Sequence, residues 1–486
     1  MKHIFLLSAG IACFILTNAQ SNFDAFIDSA YAILDSSERV AYVEQWVSHL
    51  EPAAIPLIEE ETAHFIYYGN ETTTQVEVAG DFNGWGGEGT WLCEQISFTP
   101  FFYYSHIFEP DARLDYKFIL NNGSWILDPL NPNTVTGGYG PNSELAMPEY
   151  IQPWEITEYP DAAKGTLENF TLQSTEINKI FSIQVYLPPG YHENTLFYYP
   201  AVYVHDGHEY ISLGSMDHVI DNLLDSNLID PVIGVFIRPN NRETEYMGDD
   251  RFGYAQFVAE TVVPYIDDNY RTMPWKEYRL TMGTSLGGNI SGLIAYRYPE
   301  VFANSGWHSP ALWVNDQEVA KFYLEEAKEV RIYFNVGTYE DLGVDWEVFT
   351  AGLTDLGYIF AWDVLHEGHS WGQWRATTDD ILQFFFPAGS VPLYIKESEY
   401  RKFLAGSNFP NPFSESTIIP LSIGQQGSFA VEIFDCSGSL VASDLYSFHS
   451  GGDYEIVVRR DGLLAGVYFL IISNKDYRIV RKILVE

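Results

Sequence analysis

Residues 283 to 288 read Gly283-Thr284-Ser285-Leu286-Gly287-Gly288, a Gly-x-Ser-x-Gly between an apolar run, Tyr278-Arg279-Leu280-Thr281-Met282, and a helix-like stretch from Gly288 to Tyr298. A strand that turns this sharply into a helix has no room for side chains beside the serine, because any Cβ at position 283 or 287 would collide with the backbone. Small residues at both positions therefore mark Ser285 as the first candidate nucleophile. The alternative is a glycine-rich strand-to-helix turn with an idle serine, and the downstream sequence weighs against it.

A serine used for acyl transfer needs a histidine base and a carboxylate to orient it, expected after the serine in the order acid, then histidine. His369 lies in Leu365-His366-Glu367-Gly368-His369-Ser370-Trp371, after a strand-like stretch (Tyr358 to Val364) and before a helix-like one (Gln373 to Phe386). That places it on a loop at a strand's C-terminal end, the edge that carries the chemistry of open α/β sheets. The preceding strand, Val330 to Val336, runs into Gly337-Thr338-Tyr339-Glu340-Asp341, which makes Glu340 the candidate acid and Asp341 the runner-up. His366 competes with His369, but it comes where the strand is ending and lacks the preceding glycine that lets a loop bend.

From Ile180 to Phe386 the chain resembles the putative-esterase family, which includes enterochelin esterases, feruloyl and acetylxylan esterases and mycolyltransferase-like proteins. The resemblance rests on Val185-Tyr186-Leu187-Pro188-Pro189-Gly190-Tyr191, Tyr199-Pro200-Ala201-Val202-Tyr203-Val204-His205-Asp206-Gly207, Arg242 with Glu245-Tyr246, the Ser285 turn, Gly337-Thr338, and Gly368-His369 followed by Trp371 and Trp374-Arg375. It implies an α/β-hydrolase domain, doubly wound with a mostly parallel sheet, with Ser285 as nucleophile, His369 as base and Glu340 as acid where many relatives carry aspartate. Acyl transfer also needs two backbone N–H donors for the oxyanion. One is expected from Leu286, the other from the Asp206-Gly207-His208 loop, at Gly207 or His208.

Other polar and aromatic residues near these landmarks carry weaker expectations. Asp206 and His208 could be metal ligands, but nothing nearby completes a set, and no metal or cofactor is expected. Arg242 and Glu245 could touch substrate or pair with each other as a loop brace. Trp307, His308 and Trp313 would suit an aromatic acyl group or could be packing residues, and Trp371 is a further candidate for substrate contact.

The formal charge of -40, from 66 acidic against 26 basic residues, argues against a nucleic-acid or anionic-membrane partner. With 486 residues and 46% hydrophobic content the chain should divide into about three domains. Residues 1–19, with Lys2-His3 and an apolar run from Ile4 to Leu16, read as a secretory signal cleaved before Gln20, and no later run reaches the roughly 20 apolar residues of a membrane helix. Cys13 would leave with the signal. Cys93 and Cys436 would then stand in separate domains, against a disulfide framework.

A helical lead (residues 20–59) precedes alternating segments over residues 60–146 that read as a β-sandwich. Gly80-Asp81-Phe82-Asn83-Gly84-Trp85, with Tyr116-Lys117-Phe118 and Trp125 to Asp128-Pro129, resembles the early-set modules in front of glycogen-branching and related enzymes. The resemblance implies that Trp85 and Trp125 either stack on sugar faces or pack the sandwich core. Residues 147–165 read as a linker and 166–395 as the catalytic domain. Residues 405–486 carry Asn408-Phe409-Pro410-Asn411-Pro412-Phe413, alternating strands at Phe429 to Phe434 and Tyr454 to Val458, and Gly462-Leu463-Leu464-Ala465-Gly466-Val467-Tyr468-Phe469. They resemble the type A sorting domain of the type IX secretion system, implying a second β-sandwich, that system's machinery as partner, and a secreted or cell-surface destination.

Three functional classes follow. The first is a secreted serine carboxylic-ester hydrolase that removes feruloyl or acetyl esters from polysaccharide. The second is an esterase for a catecholate siderophore, disfavoured by export because iron is normally released inside the cell. The third is a non-catalytic carbohydrate-binding surface protein, which the presence of Ser285, Glu340 and His369 together argues against.

Overall fold

The structure is a computed structural model that describes residues 23–391 and 403–486, except 88, 122, 196, 407, 424–425, 436–438 and 475–477. The expected signal segment and Cys436 lie outside the described residues. The chain forms two units: Met1–Gln152 with Val336–Asp341 and Val364–Gln373, and Pro153–Asn335 with Leu342–Asp363 and Trp374–Glu486.

In the first unit, helices Phe23–Ala32 and Ser36–Val47 form the lead, and Asp35 starts the second by accepting bonds from the Ser37 and Glu38 amides. Phe23, Phe26 and Val43 bury against Ile66 and Phe101 of an antiparallel sheet built on Thr62–Tyr68 and Phe101–Ile107. A second antiparallel sheet joins Val76–Gly80, Arg113–Leu120, Gly140–Ala146 and Thr134–Gly137. Alternating residues of the two sheets, among them Phe65, Val78, Leu114 and Phe118, make one apolar core, as expected of a sandwich. Glu367 continues this unit's hydrogen bonding by pairing in parallel with Arg113.

In the second unit an antiparallel pair, Thr166–Ser174 and Lys179–Leu187, leads into Ile233–Arg238. Ala201–His205, Arg279–Thr284, Asn304–His308 and Arg331–Tyr339 follow side by side and in parallel. Ala201–His205 precedes Ile233–Arg238 in the chain but lies inside it in the sheet, so the winding reverses there and the helices fall on both faces. These strands are almost wholly buried, which is why they read as continuous apolar runs rather than alternating ones. Among the described residues no strand or helix lies between Ala146 and Thr166.

The tail forms two further antiparallel sheets, with Ser416–Ile423 and Gly452–Arg459 in one and Gly427–Asp435, Leu440–Phe448, Gly466–Ser473 and Arg478–Val485 in the other. Their inward residues share a core that includes Ile419, Ile433, Ile456, Leu470 and Ile483.

Two strands run further than their apolar patterns predict. Arg331–Tyr339 passes the expected end at Val336, and Ile359–Gly368 passes Val364. Hydrogen bonding carries both on through polar residues, a tertiary effect that hydrophobic periodicity does not register.

Candidate active site

Ser285 sits between strand Arg279–Thr284 and helix Leu286–Arg297 with φ 54° and ψ -117°, a backbone conformation that costs a non-glycine residue about 1–3 kcal/mol. The strain is held by bonds on both sides: the Ser285 amide donates to the His308 carbonyl at 2.8 Å, and the Ser285 carbonyl accepts from Asn289 at 3.0 Å and Ala311 at 2.9 Å. A Cβ on Gly283 would stand 2.6 Å from the Gly287 backbone, as the sequence pattern requires. At Gly287 the obstacle differs from expectation: a Cβ there would meet the Asp206 carboxylate at 2.9 Å rather than the main chain.

Asp206 is buried, holds φ 59°, and takes Arg242 Nε on both oxygens at 3.0 and 2.9 Å. Arg242 Nη2 also donates to the Thr284 carbonyl at 3.0 Å. Burial pushes the Asp206 carboxyl up to about 6 while Arg242 pulls it down. Arg242 thus braces the base of the serine turn, and its partner is Asp206, not Glu245. The Asp206 amide donates to the Tyr246 hydroxyl at 3.0 Å, and Gly207–Ser212 opens as a short helix, so Gly207 and His208 occupy first-turn positions. Leu286 occupies the corresponding position of its own helix. First-turn amides lack intrahelical acceptors, which suits them to an oxyanion.

Glu340 and His369 meet in the first unit. Glu340 Oε2 lies 2.5 Å from His369 Nδ1, and Glu340 Oε1 accepts from the Gly337 amide at 2.5 Å. The glutamate side chain is 2% exposed and the histidine 37%, so a buried carboxylate holds a ring that solvent can reach. With Nδ1 engaged by the carboxylate, Nε2 is the nitrogen that can take a proton. His366, the competing histidine, pairs instead with Asp111 through Nδ1 at 2.6 Å.

Several candidates for substrate contact prove structural. Glu245 is fully buried, salt-bridged to Lys179 at 2.8 Å and bonded to the Asn240 and Asn241 amides. Trp307 is fully buried among Tyr323, Phe334 and Phe349, with Nε1 donating to Ser305. Trp371, at 3% exposure, and His308, at 0%, are likewise interior. Burial drives His308 down to about 3, so it stays neutral. Trp313 remains half open at 51%. Trp85 and Trp125 stack on each other at 6.3 Å outside the sandwich core, with Trp125 47% exposed, so the core reading of this pair fails.

A second Gly-x-Ser-x-Gly, Gly368-His369-Ser370-Trp371-Gly372, escapes a reading centred on residue 285. Ser370 is buried, takes a bond from Arg113 Nη1 at 3.3 Å, and lacks the positive φ that marks Ser285. Backbone strain, invisible in the pattern itself, separates the two serines.

A strained serine between strand and helix on a doubly wound sheet, with a buried carboxylate on a histidine, defines an esterase-like fold of the α/β-hydrolase type. Residues 174–385 match the family model described as Putative esterase, and residues 407–486 match that of a secretion system C-terminal sorting domain. The uncharacterized protein YjcH of Bacillus subtilis (strain 168) is 32% identical over 181 residues, covering 36% of this chain and 74% of its own length. The chain belongs to the putative esterase family. An endo-1,4-beta-xylanase/feruloyl esterase of Xylanibacter ruminicola is 25% identical over 241 residues, covering 46% of this chain and 32% of that protein. The crystal structure of a ferric enterobactin esterase from Salmonella typhimurium shares the fold, with a TM-score of 0.61 at 18% identity over 70% of this chain and 98% of that one. The sorting domain indicates type IX secretion and a secreted or cell-surface protein. Among the described residues no helix is long and apolar enough to cross a membrane.

Proposed function

We propose that this protein is a serine carboxylic-ester hydrolase acting outside the cell on feruloyl or acetyl esters of polysaccharide. The observation that carries the reading is the 2.5 Å contact between Glu340 and His369 Nδ1, the orientation a histidine base requires, in a chain that also presents the strained Ser285. Ser285 attacks the ester carbonyl as His369 takes its proton, and the alcohol leaves with that proton. Water then repeats the cycle on the acyl-enzyme. Amides at Leu286 and at Gly207 or His208 receive the oxyanion, each worth about 3–4 kcal/mol of transition-state stabilisation. Of the candidate substrate set, Trp313 is the exposed aromatic and is assigned to ester contact, while Arg242 supports the serine turn through Asp206 and Thr284. The Xylanibacter relative, named as a xylanase and feruloyl esterase, supports a polysaccharide-linked substrate.

The deciding experiment compares methyl ferulate, acetylated xylan and a tri-catecholate lactone as substrates for the protein, with a Ser285→Ala control. Release of ferulate or acetate is expected. Turnover of the lactone alone would move the protein to siderophore cleavage, a reading favoured only by the shared fold with the Salmonella enzyme. No Ser285-dependent release from any of them would leave a binding protein.

The exposed Trp125, stacked on Trp85, offers a flat apolar face of the kind that sugars pack against. Trp125→Ala should weaken retention on insoluble xylan or glucan severalfold while leaving methyl ferulate hydrolysis at the parental rate. Unchanged retention on both would remove the sugar-binding role.

A further inference from the structure

One turn of the front sandwich, leading into strand Arg113–Leu120, meets several residues of the segment that carries His369. The turn runs from Glu109 to Arg113. Glu109 accepts from the Tyr339 hydroxyl at 2.5 Å, next to the candidate acid, and Asp111 holds His366. Arg113, fully buried, pairs with Glu367 in the sheet and donates to Ser370 Oγ. Its guanidinium lies against the backbone of Gly372, where a Cβ would overlap Nη1. Gly368 is pressed on the Asp81 carboxyl in the same way, and Gly337 on the Glu367 carbonyl. Asp81 in turn accepts from the Asp115 amide at 2.8 Å.

We propose that Arg113 is a positioning residue for ester hydrolysis, acting through the Glu367–Gly372 segment to hold His369 on Glu340. The inference rests on the reading of His369 as the base. Its guanidinium is itself fixed by Asp115 and Glu144, each at 2.7 Å, with Glu367 at 4.0 Å. Such a fork, held from two sides, is rigid in a way that a lysine ammonium is not. Burial pushes the Glu367 carboxyl up to about 8 and the Asp81 carboxyl up to about 7, while the positive charge of Arg113 pulls both down. The glycines at 337, 368 and 372 permit the close approach, which explains why the base loop is glycine-rich beyond what a bend needs. The front sandwich thereby contributes to the chemical step itself, whether or not it binds glycan.

The test is steady-state hydrolysis of methyl ferulate, too small an ester to need remote contacts, by Arg113→Gln and Arg113→Lys in the full chain, with thermal melts to report folding. The folded Arg113→Gln protein should lose roughly a hundredfold in kcat, the scale of a misplaced catalytic group, with KM within about threefold. Arg113→Lys, which keeps the charge without the fork, should recover part of that loss. A folded Arg113→Gln protein with parental kcat, or one altered in KM alone, overturns the proposal. If Arg113→Gln does not fold, Gly372→Ala displaces the guanidinium with all charges retained and should lower kcat in the same way; unchanged kcat there overturns it. His369→Ala runs alongside: if it stays active, the base assignment has failed, whereas an inactive His369→Ala beside a fully active Arg113→Gln faults the positioning role alone.

Discussion

Ser285→Ala should lower kcat for ester hydrolysis by roughly five to six orders of magnitude, the loss seen when a triad nucleophile is removed. Binding should survive, because the carbonyl and amide bonds that shape the turn come from the backbone and stay in place. A fluorophosphonate reagent should label Ser285 in the parent and nothing in the variant. Ser370→Ala, at the other Gly-x-Ser-x-Gly, should lose far less, since that hydroxyl is buried against Arg113. A Ser285→Ala protein with kcat close to the parent's, or labelling at Ser370, would mean that the strained turn is not the reactive one.

Glu340→Gln should cost roughly three to four orders of magnitude in kcat, and Asp341→Asn close to nothing. The reason is tautomeric. Glu340 Oε2 accepts from the Nδ1 side of His369 at 2.5 Å, whereas an amide can turn its NH2 toward the ring and favour the proton on the wrong nitrogen. Asp341 is exposed and lies one residue further along the loop. Equal and small losses from both substitutions would place the orienting carboxylate elsewhere, and a larger loss at Asp341 would reverse the assignment.

Much of the catalytic geometry is legible because it rests on short-range backbone demands. A sharp strand-to-helix turn needs glycine at 283, where a Cβ would meet the Gly287 backbone, whereas Gly287 makes room for the Asp206 carboxylate from elsewhere in the chain; the order serine, acid, histidine follows from consecutive parallel strands that end at one edge. The aromatic residues are less legible. Trp307, Trp313 and Trp371 look alike in the sequence, yet 307 and 371 fall inside and 313 at the surface, because the direction of each ring depends on which helix or strand covers it. Between the two alternatives for Trp85 and Trp125 only the structure chooses: the sandwich core is built from Phe65, Phe118 and their neighbours with Trp91 packed against it, and the other two indoles lie outside it.

The sequence by itself marked the serine turn, the glycine-led histidine loop and the alternating strands of the front sheets, which follow from local periodicity and from residues too small to obstruct a turn, while the doubly wound sheet was legible through resemblance to a family. The tertiary structure alone shows that Glu340 is the carboxylate that meets the His369 ring and the Gly337 amide, a contact that its place in the chain beside Asp341 does not specify. It alone also joined Arg113 to Ser370 across 257 positions. A buried guanidinium draws its partners from whatever the fold brings within hydrogen-bonding reach, and no spacing in the sequence encodes that.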